Sequence, residues 1–219
     1  MNGRRQAGMQ RALIEILTAS AKAAGLRRSS WDCQSGGDGE LAVLPPEEPE
    51  DVLIDGYVRE LGQRLDDHNE DLVDGARLRL RMALHHGVAV PAANGYAGAG
   101  LVVVSRLVEC AAIRAAQQAI PEANLVLIVS NRIFLDTIAQ GHTVLRGNRF
   151  RKVRVSVKEY VDDAWLYVPG HDVRHVDLVP QDRPTPVARA AQDSVGSADP
   201  SEPAEPVLTW RQSTDRDEG

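Results

Sequence analysis

Gln34-Ser-Gly-Gly-Asp-Gly-Glu-Leu-Ala-Val-Leu44, closed by Pro45, decides how this chain is read. A short extended segment from Trp31 to Ser35 runs into the Gly-Gly-Asp-Gly turn and leaves as the apolar run Leu41 to Leu44. Glycine supplies the positive φ angles of tight hairpin turns and aspartate tolerates them, so the stretch predicts a β-hairpin. It sets one carboxylate, Asp38, at an exposed tip. There it is either a turn residue or a hard oxygen ligand for Mg²⁺ beside a phosphate.

Upstream, apolar residues at Ala12, Leu13, Ile16, Leu17, Ala21 and Ala24 have helical spacing, closed by Gly25. Downstream, Pro45-Pro46-Glu47-Glu48-Pro49 is a rigid break, and Glu50 to about Leu65 predicts a second amphipathic helix. Residues 66–76 read as an acidic loop. From Arg77 to Val90 the chain alternates: Leu78, Leu80, Met82 and Leu84 against Arg77, Arg79 and Arg81. Period two means a strand with one apolar and one basic face. The basic face is open to two readings: solvated arginines, or a cationic surface toward triphosphate or a partner subunit.

Asn94 to Gly100 is a glycine-rich loop before a helix from about Leu101 to Ala119. Glycines there either free backbone N–H groups for an anion or allow close strand–helix packing. Residues 124–130 predict a buried strand, 131–139 a short helix, and 151–157 and 164–168 the last strands, with a turn at Asp162-Asp163. His85 and His86, successive on a strand, point to opposite faces and do not chelate one metal together.

Past Pro169, small, polar and charged residues dominate. Such a stretch cannot bury enough surface to offset its ordering entropy, so residues 170–219 are expected to be a disordered tail after one domain at 1–169. Val207-Leu-Thr-Trp210 is the one apolar knot in it, a docking motif or an incidental cluster.

Composition narrows the function. The net charge is −6, which disfavours nucleic acid as a partner. Aromatics are 4% of 219 residues, so Leu, Val, Ile and Ala build the core. No apolar run approaches the roughly 18 residues that cross a bilayer, and no membrane association is expected. The N-terminal arginines lack a following apolar core of a signal peptide. Cys33 and Cys110 are expected as buried free thiols in a reducing cytoplasm.

The hairpin, the segment Arg77 to Gly87 with its His-His-Gly end, and the glycine-led helix ending in Ser105-Arg106-Leu107 occur in an order and spacing that resembles the class III nucleotidyl (adenylate/guanylate) cyclase homology domain. The likeness covers roughly residues 4 to 168 and is nearest to the divergent type common in high-GC actinobacteria. It implies an α/β (α+β) fold with a ferredoxin-like βαββαβ sheet and helices on one face. It implies Asp38 as a ligand of Mg²⁺ or Mn²⁺ and Arg106 as the group stabilising the transferring phosphoryl. Gln34 and Gly95 fall on the base-reading positions, and Gly98, in the glycine-rich loop, is counted with them as substrate-binding. Active sites of this family form between two subunits. The resemblance therefore implies a nucleoside triphosphate ligand and a homodimer, or a heterodimer with another cyclase-type domain.

The chain departs from that pattern in named places. The family's first, inner strand, with its metal-binding aspartate, would precede Gly3-Arg4-Arg5, and no such run stands there. Another segment, another chain or residues upstream must fill the slot, because an empty inner position exposes two rows of unpaired backbone groups. The ribose-contacting asparagine falls on Val102, and the late triphosphate lysine on Tyr160, with Lys158 nearby. Three functions follow as expectations: a catalytically impaired cyclase-like module that responds to nucleotide or dimerises; an active cyclase whose start lies upstream; and a structural interaction protein without a nucleotide site.

Overall fold

The computed structural model describes residues 3–36, 38–92, 95–178 and 205–212. Helix α1 spans Gly3–Ala23. Strands β1 (Asp32–Gly36) and β2 (Gly39–Val43) form the hairpin, in register from Asp32↔Val43 to Gly36↔Gly39. A continuous helical stretch follows Pro49: α2 (Glu50–Val52), a π-turn over Leu53–Tyr57, and α3 (Val58–Asn69). Strand β3 is Leu80–Gly87. A small separate ribbon pairs β4 (Val90–Ala92) with β5 (Gly95–Ala97). Helices α4 (Ala99–Glu109) and α5 (Ala111–Ala119) are separated at Cys110, whose ψ of 156° breaks the single helix expected there. Strand β6 (Leu125–Ser130), α6 (Asn131–Ile133), β7 (Arg151–Val157), β8 (Tyr160–Tyr167) and β9 (Glu205–Gln212) complete the order.

Seven strands form one mixed, mostly antiparallel sheet in the order β1-β2-β9-β3-β6-β8-β7. The one parallel pair is β3 with β6, joined by the α4–α5 crossover. The alternation in β3 decides what lies above and below. Leu80, Met82 and Leu84 pack with Leu13 and Leu17 of α1 and Leu61 and Leu65 of α3. Ala83 packs on the opposite face with Val104, Leu107 and Val108 of α4 and Ile113 of α5. Helices therefore cover both faces, and the expectation of helices on one face is corrected. The α4–α5 crossover joins two parallel strands, and such a connection has to lie over a sheet face.

The tail also departs from expectation. Residues 205–212, inside the stretch expected to be disordered, form β9 in the middle of the sheet. Residues 179–204 and 213–219 lie outside the described residues. Strand β9 is antiparallel to β3 from Leu80↔Gln212 to Gly87↔Glu205, and to β2 from Gly39↔Arg211 to Val43↔Val207. Its side chains serve both layers: Leu208 and Trp210 join the α1/α3 core, and Val207 joins the α4/α5 core. A strand buried on both faces reads as a continuous apolar run, not an alternation, which is why Val207-Leu-Thr-Trp210 resembles an incidental knot. The inner position that looked vacant from the N-terminal sequence is filled from the other end of the chain. Pro206 fits because it stands at the strand's beginning, where it needs no N–H and its carbonyl accepts the Leu44 amide at 3.0 Å.

The β7–β8 turn is at Lys158-Glu159, with Lys158 at φ 53°, and not at Asp162-Asp163. Asp163 lies within β8 because Lys152 and Arg154 across the ladder neutralise it, at 2.8 and 3.1 Å. Cys33 is exposed on the edge strand; Cys110 is buried, and both are free thiols.

Candidate functional site

The residues singled out from sequence are spread along the sheet: Asp38 stands by the Gln212 end of β9, which pairs with the start of β3 at Leu80, whereas Gly98 and Gly100 lie against Gly87 and Val88 at the other end of β3. Asp38 stands at the β1–β2 tip, where its backbone carbonyl accepts the Gln212 amide at 2.9 Å. The tip is thereby fastened to the end of β9. Beside it, Gly39 pairs with Arg211.

Gln34 lies on β1 and Gly95 on β5, far apart in sequence, and the fold brings them together. A Cβ built on Gly95 would stand 1.7 Å from Gln34 Nε2. Glycine at 95 is therefore required twice: by its φ of 116° and by the room the Gln34 amide takes. Gln34 Nε2 is buried and makes no hydrogen bond among the described residues. Buried amide donors are nearly always satisfied, so this nitrogen is a group to account for.

The glycine-rich loop is shaped by packing. Gly98, at φ 128°, caps α4, and a Cβ on it would meet the Val88 carbonyl oxygen at 2.6 Å. Gly100 lies against Gly87 and Val88, and its amide donates to the Val88 carbonyl at 3.1 Å. Of the two readings of this loop, close strand–helix contact is the one these distances carry. Arg106 lies one turn beyond Val102 on the same helix, half-buried, while Val102 is 51% exposed. Tyr160 is on β8, where burial raises its hydroxyl pKa to about 12.

The strand expected from Arg77 to Val90 is shorter, Leu80–Gly87, so Arg77 and Arg79 stand before β3 and not on a basic face of it, and both are structural. Arg79 donates to the carbonyls of Gln117, Ile120 and Ala123, at 2.5, 3.1 and 3.1 Å. A cation there closes the C-terminal end of α5, where orphan carbonyls collect. Arg77 bonds the Asn124 side chain at 3.1 Å.

Sequence reading missed one cluster. Glu50, in the first turn after Pro49, accepts from His86 Nδ1 and, through its other oxygen, from Thr137 Oγ1 at 2.9 Å. Burial opposes the Glu50 charge, but those hydrogen bonds outweigh it and hold the carboxyl below its ordinary range. The cluster clasps α2, β3 and the turn after α6 together. His85 faces the other way, toward Gly87. Burial first, then the charges of Arg132 and His86, lower its pKa to about 4, so its imidazole is neutral at pH 7. Among the described residues no group of three His, Cys, Asp or Glu is placed to hold a metal ion. No helix of the described residues is long and apolar enough to cross a membrane.

A scan against protein-family models, a search of curated proteins and a search of solved structures each returned no match.

Proposed function

We propose that this chain is a divergent class III nucleotidyl cyclase-like domain, catalytically impaired, which acts as a nucleotide-responsive or dimerisation module in bacterial signalling. The observation that supports this most is the meeting of Gln34 with Gly95, the two positions that the resemblance assigns to base reading. An amide nitrogen that is buried and has no hydrogen-bond partner among the described residues is the kind of group that reads a base edge. The strand order adds support. With β9 standing for its first strand, β1-β2-β9-β3 has the order and the all-antiparallel neighbours of a ferredoxin-like βαββαβ unit, with α1 and α3 on one face.

Impairment is argued from the same residues. Two-ion phosphoryl chemistry needs paired carboxylates to hold both metals. Asp38 would hold one Mg²⁺ or Mn²⁺ beside the triphosphate. The family's first aspartate has no counterpart ahead of Gly3-Arg4-Arg5 in the sequence. Val102, in the ribose position, has no hydrogen-bonding group. Arg106 keeps the phosphoryl-stabilising role in this reading, and the family's two-subunit sites make a second cyclase-type domain the expected partner. The alternative of a structural protein without a nucleotide site is favoured by one observation: Arg77 and Arg79 are engaged with the chain's own oxygens.

The test is thermal unfolding with ATP, GTP, CTP and UTP in Mg²⁺ or Mn²⁺, followed by analysis for cyclic product. A ligand at a hundred times its Kd stabilises by about 2.7 kcal/mol. The expected result is a raised Tm with at least one nucleotide, reduced in Gln34→Ala and in Asp38→Ala, and little cyclic product. No shift with any nucleotide would favour the structural alternative; abundant cyclic product would make the domain an active enzyme.

A further inference from the structure

We infer that β9 is an exchangeable strand, and that the partner its slot fits is a second copy of this chain. The inference rests on how β9 is held and is independent of any nucleotide site. Both neighbours of β9 come from far earlier in the chain: β2 ends at Val43 and β3 at Gly87. Its connection to the preceding described segment is residues 179–204, and 26 residues reach roughly 90 Å when extended. Seven strands at about 4.8 Å spacing make a sheet only roughly 30 Å wide. The covalent path therefore permits β9 to enter its own sheet or a neighbour's.

The contacts themselves do not distinguish the two. Strand β9 is held by its ladders to β2 and β3 and by burial of Val207, Leu208, Thr209 and Trp210. Each of these partners lies in the slot, so a β9 from another copy meets the same ones. When β9 leaves, it uncovers two strand edges and the apolar row Leu80, Met82, Leu84. The sequence complementary to that slot in register and on both faces is β9 itself. Two opened chains thus satisfy each other reciprocally, forming a closed two-fold dimer with one β9 in each slot. Tethering holds a chain's own strand at an effective concentration on the order of millimolar, so the closed monomer prevails when dilute and exchange grows with concentration.

The test uses full-length chains carrying Cys33→Ser and Cys110→Ala. Ala83 and Thr209 are a cross-strand pair. One chain carries Ala83→Cys and the other Thr209→Cys; they are refolded together over a range up to about 1 mM and oxidised with oxidised glutathione. The expected product is a disulfide-linked heterodimer whose fraction, while small, rises about tenfold per tenfold increase in concentration. The doubly substituted chain, dilute, is expected to close within itself. Pairing Ala83→Cys with Val161→Cys, an exposed position on β8, is expected to give no comparable product. Closure of the double variant without heterodimer at any concentration overturns the inference. So does failure of the double variant to close, or equal cross-linking through position 161.

Discussion

Leu208→Asp is expected to abolish cooperative folding. Leu208 is 1% exposed and packs in the core shared with α1 and α3. An aspartate there is a buried carboxylate with no cation opposite; its strand partners are Ala42 and Leu84. Burying such a charge costs several kcal/mol, and the leucine's own burial, about 2 kcal/mol or more, is lost as well. Together these approach the roughly 5–15 kcal/mol by which domains are stable. Val161→Asp, on the same sheet but 52% exposed, is expected to change stability by less than about 0.5 kcal/mol. Urea unfolding followed by circular dichroism separates the two. A Leu208→Asp chain as stable as Val161→Asp would remove β9 from the sheet.

Glu40→Ala is expected to destabilise by about 3–5 kcal/mol. Arg28 Nη2 meets both Glu40 oxygens, at 2.7 and 2.8 Å, and the two side chains are only 10% and 6% exposed. Burial works against the Arg28 charge, yet the hydrogen bonds and charge of Glu40 prevail and its pKa is raised. Arg28 also lies 5.5 Å from the Trp31 ring, which meets Tyr57 edge-on at 5.5 Å. Removing the carboxylate strands a guanidinium in that layer. The double variant Arg28→Met/Glu40→Leu is expected to recover most of the loss, because the penalty comes from the orphaned charge. Equal losses in the single and double variants would mean that the pair's packing, and not its charge, holds β2 to the loop before β1.

Most of the sheet was legible from sequence because its signals are local. The Gly-Asp-Gly turn predicts β1–β2, and the Leu/Arg alternation predicts β3. Residues 124–130 predict β6, since period and turn chemistry are written into neighbouring residues. What was not legible depends on partners distant in sequence. Thr209 is a polar residue in a nearly featureless tail until β2 lies beside it and Glu40's carbonyl accepts its hydroxyl at 2.9 Å. Arg79 looks like a surface cation until the carbonyls ending α5 arrive over it. At the candidate site, Gln34 and Gly95 were legible through resemblance, whereas their contact required the β4–β5 ribbon to fold back over β1. Glu50 carried no local sign of His86, because its partners come from β3 and the turn after α6.

The chain completes its own sheet with β9. Amide hydrogen exchange on the dilute full-length monomer tests it directly. Strand β9 hydrogen-bonds into ladders on both sides, so its amides are expected to open only with the global transition and to match β3 and β6 in protection. Exchange of residues 207–212 at unfolded-chain rates, while β3 and β6 stay protected, would contradict the account.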